Sequence, residues 1–290
     1  MIFNIKLDYR KRKIYNFGIS KKDGIPMKNK IAVVTGANSG IGKETAIVLC
    51  KNGCTVYDLS RRNIPVPNIK HIRTDVTNED EVLSAINQIV SENGRIDIVV
   101  NCAGFGISGA VEFTDIKDAK SQFDVNFFGT VNVNKSVIPV MRKNGGGRIV
   151  NISSVAAAAH IPFQTFYSAT KAATESYTCA LANEVKSFGI SVTAVAPGDI
   201  CTEFTSARKK SFEGDDIYNG RISRSIEGME KDEQKGMSAE TAGKYIAKIA
   251  LKNKVKPVYT IGIGYKILSV LCKIFPCGIR NHIVGTLYAK

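Results

Sequence analysis

Histidine is scarce in this 290-residue chain: His71, His160 and His282 stand alone, far from one another. No C-x-x-C occurs either, so the nitrogen and sulfur ligands of a tetrahedral metal site are not assembled at workable spacing, and no metal site is expected. The seven cysteines, Cys50, Cys54, Cys102, Cys179, Cys201, Cys272 and Cys277, are odd in number. That pattern fits a reducing compartment and not a disulfide-stapled secreted domain. No uncharged apolar run reaches the ~18–20 residues that cross a bilayer. Residues 1–26 lack the apolar core and cleavage site of a secretory signal, so a cytoplasmic location is expected. Zinc-finger spacing, an RNA-binding aromatic motif and a basic tail joined to a DNA-reading helix are all missing. Nucleic acid is therefore not an expected partner, although the net charge is +14 and the pI about 9.4.

What the chain does have is a hydrophobic fraction of 44%, enough for a sizeable core. Residues 1–26 are basic and weakly periodic and read as a poorly ordered extension. From Ile31 the run IAVVT suits a strand buried on both faces. Gly36-Ala37-Asn38-Ser39-Gly40-Ile41-Gly42 follows, then a helical run from Lys43 to Asn52. A strand, a glycine-rich turn and a helix N-terminus together suit a pyrophosphate, because glycine lets the backbone approach and the helix end offers N–H donors. An ordinary tight connection gives the same pattern.

Thr55 to Ser60 reads as the second strand and ends at Ser60-Arg61-Arg62. At that corner of a dinucleotide site, arginine suits a 2′-phosphate and a carboxylate suits a free ribose. Arg61 therefore favours NADP, while Asp58, two residues earlier, would favour NAD if the strand ended sooner. Ile69 to Arg73 is a third strand, leading to Thr74-Asp75-Val76, where Asp75 could accept from an adenine amino group or cap the helix at 78–93. A fourth strand spans Arg95 to Val100, and the small residues of Asn101-Cys102-Ala103-Gly104 after it would let a ring and ribose pass. One long helix is expected from Ile116 to Arg142, with Asn126, Gly129 and Pro139 as irregular positions. Strands follow at Arg148–Ile152 and Ile190–Ala196. Alternating strands and helices imply a parallel sheet with helices on both faces.

The chemistry concentrates between Asn151 and Lys171. Tyr167 and Lys171 lie four apart in a helical segment, 165–185, and share a face. An ammonium beside a phenol lowers its pKa, which makes a tyrosine a useful proton donor or acceptor. Ser154, thirteen residues before Tyr167, could hydrogen-bond the same substrate oxygen. Residues 203–237 are polar and charged and read as an irregular, mobile substrate lid. Ser238 caps a helix to Ala250. The tail, 257–290, is apolar with basic residues at intervals. Packing on its own core, pairing of subunits or walling a pocket is the preferred reading there, over peripheral contact with a membrane.

Together these segments resemble the short-chain dehydrogenase/reductase family over about residues 27–260. Thr35 to Gly42 matches the family's T-G-x-x-x-G-x-G turn. Asn101-Cys102-Ala103-Gly104 is similar to its N-N-A-G element, with cysteine at the second position. Asn126, Ser154, Tyr167 and Lys171 match its catalytic tetrad, and Pro197-Gly198-Asp199-Ile200-Cys201-Thr202 its P-G-x-x-x-T segment near the nicotinamide. The resemblance implies a single Rossmann-type domain over 27–290, a doubly wound parallel sheet of about seven strands. It implies Tyr167 as general acid/base, Ser154 orienting the substrate oxygen, Lys171 on the nicotinamide ribose, and Asn126 holding a water behind Lys171. The cofactor expected is NADP in preference to NAD, and the substrate a carbonyl or secondary alcohol of a lipophilic small molecule. A homodimer or homotetramer is expected. A 3-oxoacyl reductase that docks an acidic carrier protein is the alternative within the family. A non-catalytic nucleotide sensor is the alternative outside it.

Overall fold

β-branched runs closed by glycine, asparagine or charged residues become the strands of one central sheet. The structure, a computed structural model, describes residues 29–288. In chain order its elements are β1 (Ile31–Thr35), α1 (Gly40–Lys51), β2 (Thr55–Ser60), β3 (Ile69–Arg73), α2 (Glu79–Asn93), β4 (Ile98–Asn101), β5 (Ile107–Ser108), α3 (Ile116–Phe123) and α4 (Gly129–Lys143). They continue with β6 (Gly147–Ile152), α5 (Ala156–Ala159), α6 (Thr165–Glu184), β7 (Ile190–Pro197), β8 (Ile200–Cys201), α7 (Phe204–Ala207), β9 (Lys209–Lys210) and α8 (Arg221–Gln234). The chain closes with β10 (Met237–Ser238), α9 (Ala239–Ala250), β11 (Val258–Ile261), α10 (Ile263–Ile274) and α11 (Cys277–Tyr288).

The sheet has seven strands in the order β11-β7-β6-β4-β1-β2-β3, all parallel. The chain winds outward in one direction through β2 and β3, then returns past β1 to β4 and winds the other way. That reversal opens a crevice at the carboxyl ends of β1 and β4, where α/β sheets of this kind bind ligands. Successive residues of β1 feed opposite layers. Ile31 and Val33 pack with Val82, Ile86, Val133, Val137 and Leu181 from α2, α4 and α6. Ala32 and Val34 pack with Ala46, Leu49, Ile246 and Ala250 from α1 and α9. Burial on both faces is why the central strands β1 and β4 read as continuous apolar runs, whereas the edge strand β3, IKHIR, is half exposed.

Several expectations are revised. The single helix expected over 116–142 breaks into α3 and α4 around a π-helical turn, Asp124–Phe128, with Asn126 at its centre. β4 begins at Ile98, not Arg95, because the Asp97 carboxylate accepts from the backbone N–H of Ile31 (2.9 Å) and pairs with Arg95. Asn78, not Asp75, caps α2 and accepts from the N–H groups of Asp80 and Glu81. The irregular stretch expected at 203–236 contains α8, whose Ile222, Ile226 and Met229 are buried at helical spacing against Ala110 and Phe163. Each such side chain contributes ~1.5–3 kcal/mol of burial. The tail supplies the seventh strand, β11, and two further helices. The proposed extension, 1–26, lies outside the described residues.

Candidate active site

The loops at the carboxyl ends of β1, β2, β3, β4, β6 and β7 contribute to one cleft of about 1010 Å³. Gly36 turns the chain out of β1 with φ +67°, a left-handed value that a side chain disfavours. A Cβ on Gly42 would lie 2.3 Å from the Gly36 carbonyl oxygen, so no side chain fits there. Ser39, at the N-cap of α1, makes no side-chain capping bond, and no acid occupies the first turn. Gly36, Asn38, Ser39, Gly40, Ile41 and Gly42 all line the cleft. A helix N-terminus with its positive dipole end facing a cradle of glycines fits a diphosphate.

The next strand ends shape the far wall of the cleft. Asp58 is buried inside β2, where its carboxylate accepts from the Ala37 N–H (2.8 Å) and the Ser60 hydroxyl (2.6 Å) and meets His71 Nδ1 (2.9 Å). It therefore braces the glycine turn from behind, and it does not line the cleft. Ser60, Arg61 and Arg62 do. Asn38 ties this corner together, its Nδ2 donating to the Ser60 hydroxyl (3.1 Å) and the Arg62 carbonyl (3.0 Å). Asp75 and Val76 line the cleft beside them. Asp75 also accepts from the Thr77 N–H and hydroxyl.

At the opposite end, β6 and α6 bring Ser154, Tyr167 and Lys171 to the same cleft. The Ser154 hydroxyl accepts from the Ala156 N–H (3.1 Å) and hydrogen-bonds the Tyr167 phenol. Lys171 Nζ donates to the Ile152 carbonyl (2.9 Å), which pins α6 to the end of β6, and lies 5.7 Å from the centroid of the Tyr167 ring. Asn126 is buried behind them. Its side chain clamps the backbone of Phe105, accepting from the N–H (2.9 Å) and donating to the carbonyl (3.0 Å), and it also donates to the Thr170 hydroxyl (3.2 Å). The π-helical turn supplies the extra residue that aims Asn126 at α6; such turns are frequent at functional sites.

Burial pushes the Tyr167 phenol up to about 12, against the Ser154 hydrogen bond and the Arg208 guanidinium, which both lower it. Burial likewise pushes the Lys171 ammonium down to about 8. The lowering of Tyr167 by Lys171 that the i,i+4 spacing suggests is thus not what dominates here. The lysine directs its charge to the Ile152 carbonyl, and desolvation of the phenol prevails. At neutral pH the site holds a protonated phenol beside a largely protonated amine.

The family model described as short chain dehydrogenase matches residues 30–212, which includes this whole arrangement of turn, serine, tyrosine and lysine. The chain belongs to the short-chain dehydrogenase family. It is an oxidoreductase accordingly, of a family that works with NAD or NADP. A 3-ketodihydrosphingosine reductase of Bacteroides thetaiotaomicron is 44% identical over 243 residues, covering 82% of this chain and 89% of that one. A short-chain dehydrogenase from Streptomyces avermitilis superposes with a TM-score of 0.77 at 27% identity, covering 89% of this chain and 94% of that one. ElxO with NADP bound superposes with a TM-score of 0.68 at 30% identity, covering 82% of this chain and 99% of that one.

In this short-chain dehydrogenase most of the expected residues converge. Ala103, Gly104, Pro197, Gly198 and Thr202 line the cleft with the glycine turn and Ser60-Arg61. Asn101 does not. Its side chain turns into the core and donates to Asn134 Oδ1 and Asn151 Oδ1, both at 2.8 Å. Asn126 also stays outside the cleft lining, acting through Phe105 and Thr170. Sequence reasoning missed a polar cluster at the substrate end. Arg208 is buried and pairs with Glu233, whose carboxylate also accepts from Thr205 (2.6 Å). The guanidinium stacks 5.6 Å from the Phe204 ring, which in turn lies 5.7 Å from the Tyr167 ring. Asp199 accepts from the Tyr265 hydroxyl, and burial raises its carboxyl to about 6. Nothing in the sequence links positions 25 or 66 residues apart. The apolar i, i+4, i+7 spacing of Ile222, Ile226 and Met229 was the one available signal for α8.

Proposed function

We infer that this protein reduces a carbonyl group on a lipophilic small molecule, or oxidises the corresponding secondary alcohol, with NADP(H). The observation that carries the reading is the single cleft that holds a diphosphate cradle at one end and Ser154, Tyr167 and Lys171 at the other. The nicotinamide, when bound, supplies or accepts the hydride. The glycine turn, 36–42, and the N-terminus of α1 would hold the diphosphate. Asp75 and Val76 would border the adenine. Ala103, Gly104, Pro197, Gly198 and Thr202 would border the ribose and ring.

In the reductive direction the Tyr167 hydroxyl gives its proton to the substrate oxygen as negative charge develops there. Ser154, already bonded to the phenol, orients and stabilises the same oxygen. Lys171, its ammonium lowered by burial, would bind a ribose hydroxyl and restore the proton to Tyr167. Asn126 acts as a positioning residue, because it fixes the Phe105 backbone and the α6 surface behind Lys171. Burial keeps the phenol protonated at neutral pH, which favours the acid role and hence reduction.

Ser60, Arg61 and Arg62 support NADP over NAD. The carboxylate that argued for NAD, Asp58, is consumed by Ala37, Ser60 and His71 behind the turn. Phe204, Ala207 and Met229 give the substrate end an apolar wall beside the polar cluster of Asp199 and Glu233, and residues 203–237 would form its cover. The Bacteroides relative is named for reducing a keto group on a sphingoid lipid, so 3-ketodihydrosphingosine heads the substrate panel. The test is NADPH consumption with that compound, 3-oxoacyl thioesters, steroid ketones and small aromatic ketones. Turnover of a long-chain ketone well above the small aromatic ones is expected. Activity confined to carrier-bound 3-oxoacyl thioesters would overturn the lipophilic-ketone reading.

A further inference from the structure

The outward face of the C-terminal helix pair is apolar, the reverse of what a surface helix presents. In α10, Ile263, Ile267, Val270, Leu271 and Ile274 fall on one stripe at i, i+4, i+7, i+8 and i+11, and the stripe faces solvent: Ile263 is 74% exposed and Ile274 69%. In α11, Ile279, Ile283 and Leu287 extend it at i, i+4 and i+8, with Leu287 67% exposed. The inward side is fixed to the body of the protein. Cys272 and Val284 are buried, and Arg280 Nη1 bonds the Cys272 carbonyl (3.1 Å) across the two helices. The exposed apolar face is therefore held rigidly.

Charge says what covers it. Lys266 and Lys273 project along one edge of the α10 stripe, since residues seven apart return to nearly the same face. No aspartate or glutamate occurs anywhere after Glu240. A second copy of the chain seated on this face would set lysine edges against lysine edges with no acid in the segment to pair them. An apolar slab bounded by negative headgroups meets both requirements. Each helix has 12 residues, too few to cross a bilayer, so the pair would lie in the interface plane.

We propose that the outer face of α10 and α11 docks on an anionic lipid surface. The inner face of α11 ends at Tyr288, which lines the cleft, so docking sets the substrate end of the cleft against the membrane. This second consequence rests on the lipophilic-substrate reading; the docking itself does not. A lipophilic ketone then enters from the bilayer without crossing water.

The test uses the full chain in co-sedimentation with vesicles of phosphatidylcholine alone or mixed with phosphatidylglycerol. Binding is expected to the anionic vesicles and to weaken with salt. Ile267→Asp/Ile274→Asp is expected to lower partitioning on the order of 100-fold by removing two buried apolar anchors. Lys266→Glu/Lys273→Glu is expected to lower it by roughly 10-fold or more. All four residues lie outside the cleft lining, so turnover of a water-soluble ketone stays at the wild-type level while turnover of vesicle-borne ketone falls. Equal binding to neutral and anionic vesicles, or unchanged binding of both variants, overturns the proposal. So does a wild-type dimer that ignores vesicles and becomes monomeric with Ile267→Asp/Ile274→Asp. Loss of vesicle binding with no activity on any ketone supports docking and removes only the substrate reading.

Discussion

Replacing Arg61 with alanine is expected to weaken NADPH without touching NADH. Arg61 and Arg62 are exposed at the mouth of the cleft, and the Ser60 hydroxyl between Asn38 and Asp58 is already engaged. The discrimination for a 2′-phosphate thus falls on the two guanidinium groups. A charge-assisted hydrogen bond contributes ~1.5–3 kcal/mol. Exposure and salt screening place each arginine at the lower end, ~1.5 kcal/mol, or about tenfold in Kd. Arg61→Ala is expected to raise the NADPH Kd about tenfold, and Arg61→Ala/Arg62→Ala up to about 100-fold where the two act independently. NADH has no 2′-phosphate and its Kd stays essentially unchanged. Fluorescence titration of both nucleotides, repeated at two salt concentrations, measures this directly. A companion substitution, Asp58→Asn, removes the charge that accepts from Ala37 and Ser60. It is expected to weaken both nucleotides alike by loosening the turn. Equal losses for NADH and NADPH in the arginine variants, or a swing from NADH to NADPH in Asp58→Asn, would refute the reasoning by showing that Asp58 reads the ribose.

Glu233→Gln leaves the buried Arg208 guanidinium facing a neutral partner, and breaking a buried pair in this way costs about 3–5 kcal/mol. At the lower figure the thermal midpoint drops by roughly 6–12 °C; a change of a degree or two would mean that the pair is not holding the substrate wall. The same substitution removes a negative charge that raises Tyr167, so the alkaline limb of the pH–rate profile for reduction, where Tyr167 loses its proton, should move to lower pH. Asp199→Asn tests the buried carboxyl. Burial pushes it up to about 6 in the folded protein, above the ordinary aspartate value of 3.8. Below the lower value both states are protonated and the substitution is neutral in this respect. As pH rises from about 4 to about 6 the unfolded chain ionises first, so the wild type loses stability relative to Asp199→Asn and the gap then holds. Melting curves across that range check the sign, and a gap that closes with rising pH would contradict it.

The sheet was legible because strands buried on both faces appear as short runs such as IAVVT, and six of the seven strands fall close to where such runs lie. β11 escaped because VYTI, although bounded by Pro257 and Gly262, reads as part of one longer apolar tail. Spacing alone only suggested the glycine turn, Ser154, Tyr167 and Lys171; the ordered motifs that resemble the family singled them out, and the fold brings them to one cleft. Asn101 was misread because its motif position says nothing about which way an amide turns; the core supplied Asn134 and Asn151 as partners. Tyr167 was misjudged in its acidity, because spacing reveals a neighbouring cation but not the desolvation around both groups. Arg208 with Glu233 and Asp199 with Tyr265 depend on long-range folding of the segment after β7, which local pattern cannot disclose. The outward apolar stripe of α10 was visible as hydrophobicity, yet only the structure tells which side faces solvent.

The most direct measurement is turnover by Tyr167→Phe, with NADPH affinity determined on the same preparation. Phenylalanine keeps the ring against Phe204 and removes only the hydroxyl that bonds Ser154. NADPH binding should persist near the wild-type Kd, and ketone reduction should fall by about 10²–10⁴-fold, the range for loss of a positioned acid. Wild-type turnover in that variant would contradict the account at its base, because no other group at the Ser154 end of the cleft has been given the proton to deliver.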